Sequence, residues 1–293
     1  MSGLFQAVEN VIADSTGERA VVISGRSVGG GCINNAQAIQ LDDGRSFFLK
    51  FNSDAGRLFE CESEGLSMLA QASSIRVPEV IGTGTADNVS FLVLENIETG
   101  RPAGGFMRRL GRGLAALHES SLEVARFGLD SDNFIGATLQ PNSWTESWVE
   151  FWAEHRLGFQ LRLAHDSGLG NSGMYRMGDR LMARLDEYLP GAPEVSLIHG
   201  DLWSGNYLCD ESGNPALIDP AIYFADAEAE FGMISLFGGV SSEFFDAYYE
   251  VRPRREEQDI RIAIYRLYHL LNHLNLFGGS YLSGCLDLLK RLT

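Results

Sequence analysis

The sequence predicts an α+β protein of two lobes: a small β-rich N-terminal lobe that contains one key helix, and a larger, mostly helical C-terminal lobe. Up to about residue 97, short apolar stretches alternate with glycine-containing turns, as in strands joined by hairpins. After the polar segment at residues 95–100, the apolar residues keep helical spacing over long stretches. This change of pattern predicts lobes at residues 1–97 and 98–293.

The first predicted hairpin surrounds a glycine-rich turn, Ser27-Val28-Gly29-Gly30-Gly31-Cys32-Ile33. Residues 36–41 then alternate between apolar and polar, which predicts a strand. Glycines let backbone amides approach an anion such as a phosphate closely. No Gly-Lys-Ser/Thr follows, so the turn is not a Walker loop, and by itself it would fit a plain flexible turn.

The next predicted strand, Ser46-Phe47-Phe48-Leu49-Lys50-Phe51, contains one lysine inside an apolar run. A buried lysine requires a partner for its charge. Residues 58–69 predict a helix, in which Glu62 shares a face with the apolar positions 58, 59, 66 and 69. We expect Glu62 to pair with Lys50. Glu64 is the main alternative, and a Lys50 at a strand edge beside a solvated helix face is another.

The last strand of the N-terminal lobe is predicted at residues 89–97, ending in Glu95-Asn96-Ile97. In the C-terminal lobe, positions 106, 110, 114 and 117 predict one helix, and positions 260, 264, 267, 271 and 274 predict another. Ser143-Trp144-Thr145-Glu146 has the pattern of a capping box. It predicts a helix with Trp148, Trp152, Phe159 and Leu163 toward the core.

Two short polar segments of the C-terminal lobe indicate its chemistry. Leu197-Ile198-His199-Gly200-Asp201-Leu202-Trp203-Ser204-Gly205-Asn206 is followed by Leu217-Ile218-Asp219-Pro220. An Asp and an Asn in one loop, with a second Asp at a nearby strand end, are typical of a kinase catalytic loop. Asp201 would orient an attacking hydroxyl and accept its proton, whereas Asn206 and Asp219 offer oxygen ligands suited to Mg²⁺. Singly, each residue would fit a turn or a cap.

This loop gives the N-terminal features a role. Lys50, steadied by Glu62, would bind the α and β phosphates of ATP, and the glycine-rich turn would cover the phosphates. Main-chain groups of Glu95, Asn96 and Ile97 would hydrogen-bond the adenine edge. The predicted site therefore requires ATP and Mg²⁺.

Composition excludes several other classes of protein. A formal net charge of −16 and a pI near 4.7 disfavour nucleic acid and anionic membranes as partners. No apolar run approaches the roughly 20 residues that span a bilayer, and the first residues lack the pattern of a secretory signal.

The four cysteines are scattered, as expected for free thiols in a reducing cytoplasm. A zinc site at His269 and His273 is not expected, because it would lack a third ligand. We expect a cytoplasmic monomer or weak homodimer.

The ordered motifs closely resemble the fructosamine (ketosamine) kinases over nearly the whole chain. The segments that carry the resemblance are Ser27–Ile33, Phe48–Lys50, Phe59–Glu62, Leu197–Asn206, Leu217–Ala221, Leu236–Gly239 and Tyr265–Gly278. The resemblance implies a protein-kinase-like fold akin to the aminoglycoside phosphotransferases, with ATP and Mg²⁺. It also implies phosphorylation of a sugar hydroxyl of ketosamines, which are sugar adducts on small amines or protein lysines, so that the adduct leaves.

The resemblance adds two substrate residues, Trp203 and His199. A flat ring beside the base suits packing against the sugar or its linker, although Trp203 would also fit ordinary packing behind the loop. Pro220 follows Asp219 where protein kinases have Phe, which disfavours an activation-loop switch.

Cys32 would lie where the glycine-rich turn meets phosphate, which makes it a candidate redox-sensitive thiol, with a small turn-filling residue as the alternative. Two other functions stay open. One is a kinase for another small alcohol or amino sugar. The other is a nucleotide-binding module without catalysis, which the complete set of site residues disfavours.

Overall fold

The chain folds into two compact units in the computed structural model, which describes residues 2–19, 21–29, 35–53, 55–72, 75–120 and 124–293. The first, called the sheet unit, comprises Met1–Gln71, Ile75–Phe106 and Tyr207–Pro220. The second, called the helical unit, consists chiefly of Met107–Asn206 and Ala221–Thr293. The predicted α+β class is confirmed, with the sheet near the N-terminus and most helices after it.

The sheet unit differs from the predicted lobe because it also includes Tyr207–Pro220. In this segment the N–H of Leu217 donates to the carbonyl of Arg76 (2.8 Å), and the Arg76 guanidinium lies 3.0 Å from the Asp210 carboxylate. These partners are far apart in sequence, so no local pattern reveals that the segment joins the first unit.

A five-stranded antiparallel sheet in the order β1-β2-β3-β5-β4 forms the centre of the sheet unit. Its strands and the additional β9–β10 hairpin are β1 (Val22–Ser27), β2 (Asn35–Leu41), β3 (Ser46–Asn52), β4 (Val80–Ala86), β5 (Val89–Glu95), β9 (Tyr207–Cys209) and β10 (Pro215–Leu217). The strand predictions at residues 36–41 and 46–51 are confirmed, and the strand predicted at residues 89–97 is present but ends at Glu95.

Two helices cover the sheet: α1 (Ser2–Thr16) on one face and α2 (Leu58–Ala72) on the other. Side chains alternate between the faces of a strand, so Phe47 and Leu49 of β3 pack with α1. Lys50 points to the opposite face, where Phe59 and Leu66 of α2 pack. Because side chains of β3 alternate between the two faces of the sheet, Lys50 points toward α2, which carries Glu62.

The helical unit contains most of the helices and, among the described residues, two short strand pairs, β6–β7 and β8–β11. Its helices are α3 (Phe106–Glu119), α4 (Trp148–Phe151), α5 (Phe159–Asp166), α6 (Ser172–Met182), α7 (Glu230–Phe237), α8 (Ser242–Tyr249), α9 (Gln258–Phe277) and α10 (Leu282–Leu292). Its strands are β6 (Asn133–Ile135), β7 (Thr138–Gln140), β8 (Val195–Ile198) and β11 (Tyr223–Asp226). Short 3₁₀ turns lie at Leu185–Glu187, Ala227–Ala229 and Gly279–Tyr281. The predicted apolar stripes of α3 and α9 pack toward the core.

The predicted capping box at Ser143–Glu146 is wrong. Helix α4 begins after Ser147, whose hydroxyl accepts the N–H of Glu150 (3.3 Å), so the cap lies one helical turn further along. The predicted position is extended, because Thr145 exchanges two 2.9 Å backbone hydrogen bonds with Phe127. Ser147-Trp148-Val149-Glu150 has the same capping pattern, and it is the one that the chain uses.

A π-helical turn, Trp152–Gly158, joins α4 to α5 and changes which residues face the core. Trp148 and Trp152 are fully buried, as predicted. A π turn contains one more residue than an α turn. The positions that face the core after this turn are therefore shifted from those that a continuous α-helix would place there. The helix buries Gln160, Leu161 and Ala164, whereas the predicted core residues Phe159 and Leu163 are only half-buried.

Within the described residues, no helix combines the length and apolar character that crossing a membrane requires.

Candidate active site

Lys50 lies between two carboxylates in the sheet unit. Its Nζ is 2.6 Å from Glu62 Oε1 and 2.5 Å from Asp219 Oδ1. Glu64, the predicted alternative, is exposed on α2. The structure thus brings together three of the predicted site residues from a strand, a helix and the segment after β10.

Glu62 and Asp219 stabilise the positive charge of Lys50. Burial disfavours the ammonium ion, but Glu62 and Asp219 outweigh burial and raise the pKa of Lys50 above its usual value. Burial, together with the negative charge of Asp219, raises the pKa of Glu62, and the neighbouring Lys50 only partly offsets this effect. Lys50 is therefore a permanent cation in the sheet unit, which is the property that a phosphate-binding residue needs.

Asp219 keeps one carboxylate oxygen for a further ligand. Oδ1 contacts Lys50, and 43% of the side chain is exposed. Its backbone has φ of +56°, a left-handed conformation that costs a non-glycine residue energy and that Asp tolerates better than most. Pro220 follows directly, so the carboxylate is presented from a sharp bend at the end of the β9–β10 segment.

The predicted adenine-binding segment lies at the end of β5. The N–H of Glu95 donates to the carbonyl of Glu79 (2.8 Å), and its carboxylate lies 2.5 Å from Arg76. The Asn96 amide donates to the hydroxyl of Ser46 (3.3 Å). The N–H of Glu95 therefore already serves the sheet. The adenine contact through main-chain groups of Glu95, Asn96 and Ile97 stays a prediction.

Part of the glycine-rich turn can be placed. Ser27 pairs with Gln37 at the end of β1, and the N–H of Val28 donates to the carbonyl of Ala36 (3.0 Å). Gly29 is exposed, with open space where a Cβ would lie. Gly30, Gly31, Cys32 and Ile33 lie outside the described residues, so their roles and the redox sensitivity of Cys32 stay predictions.

The predicted catalytic loop follows β8 in the helical unit, and Glu230 holds its backbone. Oε2 of Glu230 accepts the N–H of His199 (2.6 Å), and Oε1 accepts the N–H of Gly200 (3.0 Å). Glu230 is 1% exposed. Burial opposes its ionisation, but His118 and His199 outweigh burial and hold the pKa of Glu230 below its usual range. A buried anion thus anchors two successive peptide groups just before Asp201.

Only glycine fits at position 200. Its φ is +82°, and a Cβ there would overlap the carbonyl oxygen of Ala221. The N–H of Ala221 in turn donates to the carbonyl of His199 (2.9 Å). The loop therefore turns sharply against the strand that leads into β11, and this turn presents Asp201.

Asn206 orients Asp201 and keeps its own oxygen. Its Nδ2 donates to the Asp201 carbonyl (2.8 Å) and to Asp201 Oδ2 (3.0 Å). Both partners accept only, so the amide orientation is fixed and Oδ1 points elsewhere. The arrangement leaves a side-chain oxygen on Asn206 that is chemically suited to a hard cation.

The two predicted substrate residues differ in exposure. Trp203 is half-buried and its ring lies 5.5 Å, centroid to centroid, from Phe237. His199 is 0% exposed, and its Nδ1 accepts the N–H of Asp201 (3.3 Å). The ring of His199 is enclosed and supports the loop, and its contact with substrate stays a prediction.

Sequence reasoning missed Glu230 and its neighbours. Nε2 of His118 lies 3.5 Å from Glu230 Oε2, and Nδ1 of His118 is 2.8 Å from the hydroxyl of Tyr248. Glu230 is 31 positions from His199. An ionisable residue inside the apolar segment at residues 229–234 was the available signal.

In the described part of the chain, no three His, Cys, Asp or Glu side chains are grouped to hold a metal ion. A Mg²⁺ ion does not need such a group, because it keeps several bound waters and uses one or two protein ligands together with substrate phosphates. Asn206 in the helical unit and Asp219 in the sheet unit each carry an oxygen of the kind that Mg²⁺ prefers.

Solved structures identify the fold class first. An aminoglycoside phosphotransferase in complex with AMP-PNP and hygromycin B has a TM-score of 0.65 and 18% identity, with 98% of each chain covered. The fold is that of the kinase-like phosphotransferases. A crystal structure from Haemophilus somnus 129PT that carries a fructosamine-3-kinase name has a TM-score of 0.89 at 29% identity, and covers 99% of this chain and 98% of its own.

Sequence comparison then gives the family. The family model described as fructosamine kinase matches residues 4–293. A chloroplastic protein-ribulosamine 3-kinase of Oryza sativa subsp. indica is 43% identical over 275 residues, which is 92% of this chain and 79% of the relative. The chain belongs to the fructosamine kinase family.

Proposed function

We propose that this protein is an ATP-dependent kinase that phosphorylates a sugar hydroxyl of ketosamines. The observation that carries the proposal is the loop in which Glu230 anchors His199 and Gly200 while Asn206 orients the Asp201 carboxylate. Membership of the fructosamine kinase family and the ribulosamine 3-kinase name of the rice relative support the substrate class.

In this proposal Lys50 binds the α and β phosphates of ATP. Lys50 is a permanent cation, and in the absence of phosphate its charge is compensated by Glu62 and Asp219. The glycine-rich turn from Ser27 to Ile33 covers the phosphates, and main-chain groups of Glu95, Asn96 and Ile97 bind the adenine edge.

Asn206 and Asp219 would hold Mg²⁺ through their amide and carboxylate oxygens. When bound, this ion neutralises charge on the phosphate oxygens of ATP. The protein itself would contribute one neutral and one anionic ligand.

Asp201 acts as the proton acceptor. A sugar hydroxyl oxygen attacks the γ-phosphorus of ATP, and its proton passes to the Asp201 carboxylate. The new O–P bond forms as the bond between the γ-phosphorus and the bridging oxygen breaks, and ADP leaves. Asn206 donates to Asp201 Oδ2 at 3.0 Å, which fixes the carboxylate while its second oxygen faces the hydroxyl.

The test is a substrate panel assayed by ADP release with ATP and Mg²⁺. Fructosamine, ribulosamine and erythrulosamine of one amine are compared with an aminoglycoside, choline and homoserine. We expect turnover of at least one ketosamine and none of the other group. Use of the other group alone would contradict the substrate class, and ATP binding without any transfer would indicate a non-catalytic module. The monomeric or weakly dimeric state and the cytoplasmic location stay predictions.

A further inference from the structure

A continuous row of aromatic side chains begins at the catalytic loop and runs along the helical unit. Trp203 contacts Phe237 (5.5 Å between ring centroids), Phe237 contacts His273 (4.9 Å), and His273 contacts Phe277 (5.4 Å). Tyr281 lies 5.2 Å from His273 and 6.2 Å from Phe277. We call these five residues the aromatic row.

Exposure distinguishes the row from the core. Phe237 is 39% exposed and Phe277 is 49% exposed, whereas Trp148 and Trp152 of the core are fully buried. Large aromatic side chains exposed side by side lose favourable burial, which points to a binding surface when they are contiguous.

The row is fixed to the catalytic loop by close packing. Helix α7 ends at Phe237, and Gly239 has φ of +97°. A Cβ at position 239 would overlap Ser204. Because Ser204 follows Trp203 directly, this packing sets the Phe237 ring beside Trp203, two residues from Asp201.

One hydrogen-bond acceptor lies in the middle of the row. Nδ1 of His273 donates to the carbonyl of His269 (2.8 Å), and burial lowers the pKa of His273, so the ring is neutral near pH 7. A neutral imidazole that donates through Nδ1 carries a lone pair on Nε2. Across the described residues, no Lys or Arg guanidinium or ammonium group stacks on any ring of the row.

We propose that the aromatic row binds the part of the ketosamine beyond its nitrogen, and that the preferred substrates are sugar adducts on lysine in a peptide with apolar neighbours. The proposal rests on the function proposed above. With the sugar hydroxyl at Asp201, the nitrogen and its substituent must leave the loop in some direction, and the row begins two residues away.

The chemistry of the row fits such a substituent. The ketosamine nitrogen is a protonated secondary amine, which aromatic faces attract and a neutral imidazole nitrogen can accept in a hydrogen bond. The acidic chain, with a net charge of −16, also favours a cation. The row runs from Trp203 through Phe237 and His273 to Phe277 in three ring-to-ring steps of 5.5, 4.9 and 5.4 Å. A row of several rings matches a lysine stem and the apolar side chains next to it better than a single methyl group.

The test compares two synthetic ketosamines that carry the same sugar. One is the adduct of methylamine, and the other is the Nε adduct of lysine in an acetylated Leu-Lys-Phe amide. We expect the parent protein to show a higher kcat/KM for the peptide, through KM, since ring contacts bind ground and transition states alike. Phe277→Ala and Tyr281→Ala should each reduce the peptide-to-methylamine ratio by about 3- to 10-fold.

Two further variants separate ring contact from general effects. Phe277→Tyr keeps the ring and should retain the ratio. Leu139→Ala removes an apolar side chain that is 43% exposed elsewhere in the helical unit, and should leave the ratio unchanged. Thermal unfolding midpoints of all variants establish that each is folded.

Equal kcat/KM for the two substrates in the parent would overturn the inference, as would equal losses for both substrates in Phe277→Ala. Either result leaves the proposed kinase function standing. Phosphorylation of neither ketosamine by the parent would instead overturn the proposed function and this inference together.

Discussion

Oε2 of Glu230 accepts the backbone N–H of His199 at 2.6 Å, directly after β8 ends at Ile198. Oε1 accepts the next N–H, that of Gly200, at 3.0 Å. Both hydrogen bonds are buried and charge-assisted, which makes them stronger than bonds between neutral groups. The position of Asp201 therefore depends on a carboxylate from another helix.

Glu230→Gln should weaken both folding and catalysis. An amide offers one acceptor oxygen and turns its NH₂ toward a backbone N–H, so one buried donor loses its partner. We expect the free energy of unfolding to fall by about 1–3 kcal/mol and kcat to fall by about tenfold or more. Urea unfolding and steady-state kinetics measure the two effects.

Glu250→Gln is the matched control, since Glu250 is an exposed glutamate that pairs with Arg108 and Arg112 on the helical unit. We expect its stability and kcat to equal those of the parent within error. If Glu230→Gln behaved in the same way, Glu230 would not position the loop.

Glu62→Gln should impair the use of ATP much more than Glu64→Gln. The two residues lie on the same helix, but Glu62 contacts Lys50 at 2.6 Å whereas Glu64 is exposed. Without Glu62, Lys50 has only Asp219 as a charged partner and loses its fixed position. We expect kcat/KM for ATP to fall by about 10-fold or more in Glu62→Gln and by less than about 2-fold in Glu64→Gln. Similar losses in the two variants would contradict the predicted role of the pair.

His269 should make the protein less stable in mild acid. It is 2% exposed, and burial first, then His273 and Arg156, lower the pKa of His269 from 6.5 to about 3. Between these values only the unfolded state takes up the proton, so stability falls as the pH falls below about 6.5. From pH 7.5 to pH 5, this one group should account for a loss of about 2 kcal/mol.

Urea unfolding of His269→Gln at the two pH values checks this expectation. The variant should lose less stability on acidification than the parent, and some dependence should remain because burial also lowers the pKa of His118. His165→Gln, at a side chain that is 68% exposed, should keep the dependence of the parent. An unchanged pH dependence in His269→Gln would show that His269 does not titrate on unfolding.

Local patterns predicted most of the fold. The apolar run around Lys50 predicted β3, and the apolar face of α2 that Glu62 shares predicted the pairing of Glu62 with Lys50. Helix α1 was missed, although Leu4, Val8 and Ile12 keep helical spacing and are buried against the sheet.

The errors came from interactions that a local pattern does not contain. The capping box at Ser143 failed because Thr145 pairs with the distant Phe127, and the core positions after Trp152 moved because of a π turn. Glu230 was missed because its partners lie elsewhere in the sequence.

The central claim is that Asp201 accepts a proton while phosphate passes from ATP to a ketosamine hydroxyl. The most direct measurement follows the transfer of the γ-phosphate of ATP to synthetic ribulosamine by mass spectrometry, together with calorimetric ATP binding, for the parent and Asp201→Asn. We predict a phosphorylated product from the parent, a loss of transfer by about 10²-fold or more in the variant, and ATP binding close to that of the parent. Transfer at the parental rate by Asp201→Asn would contradict the account.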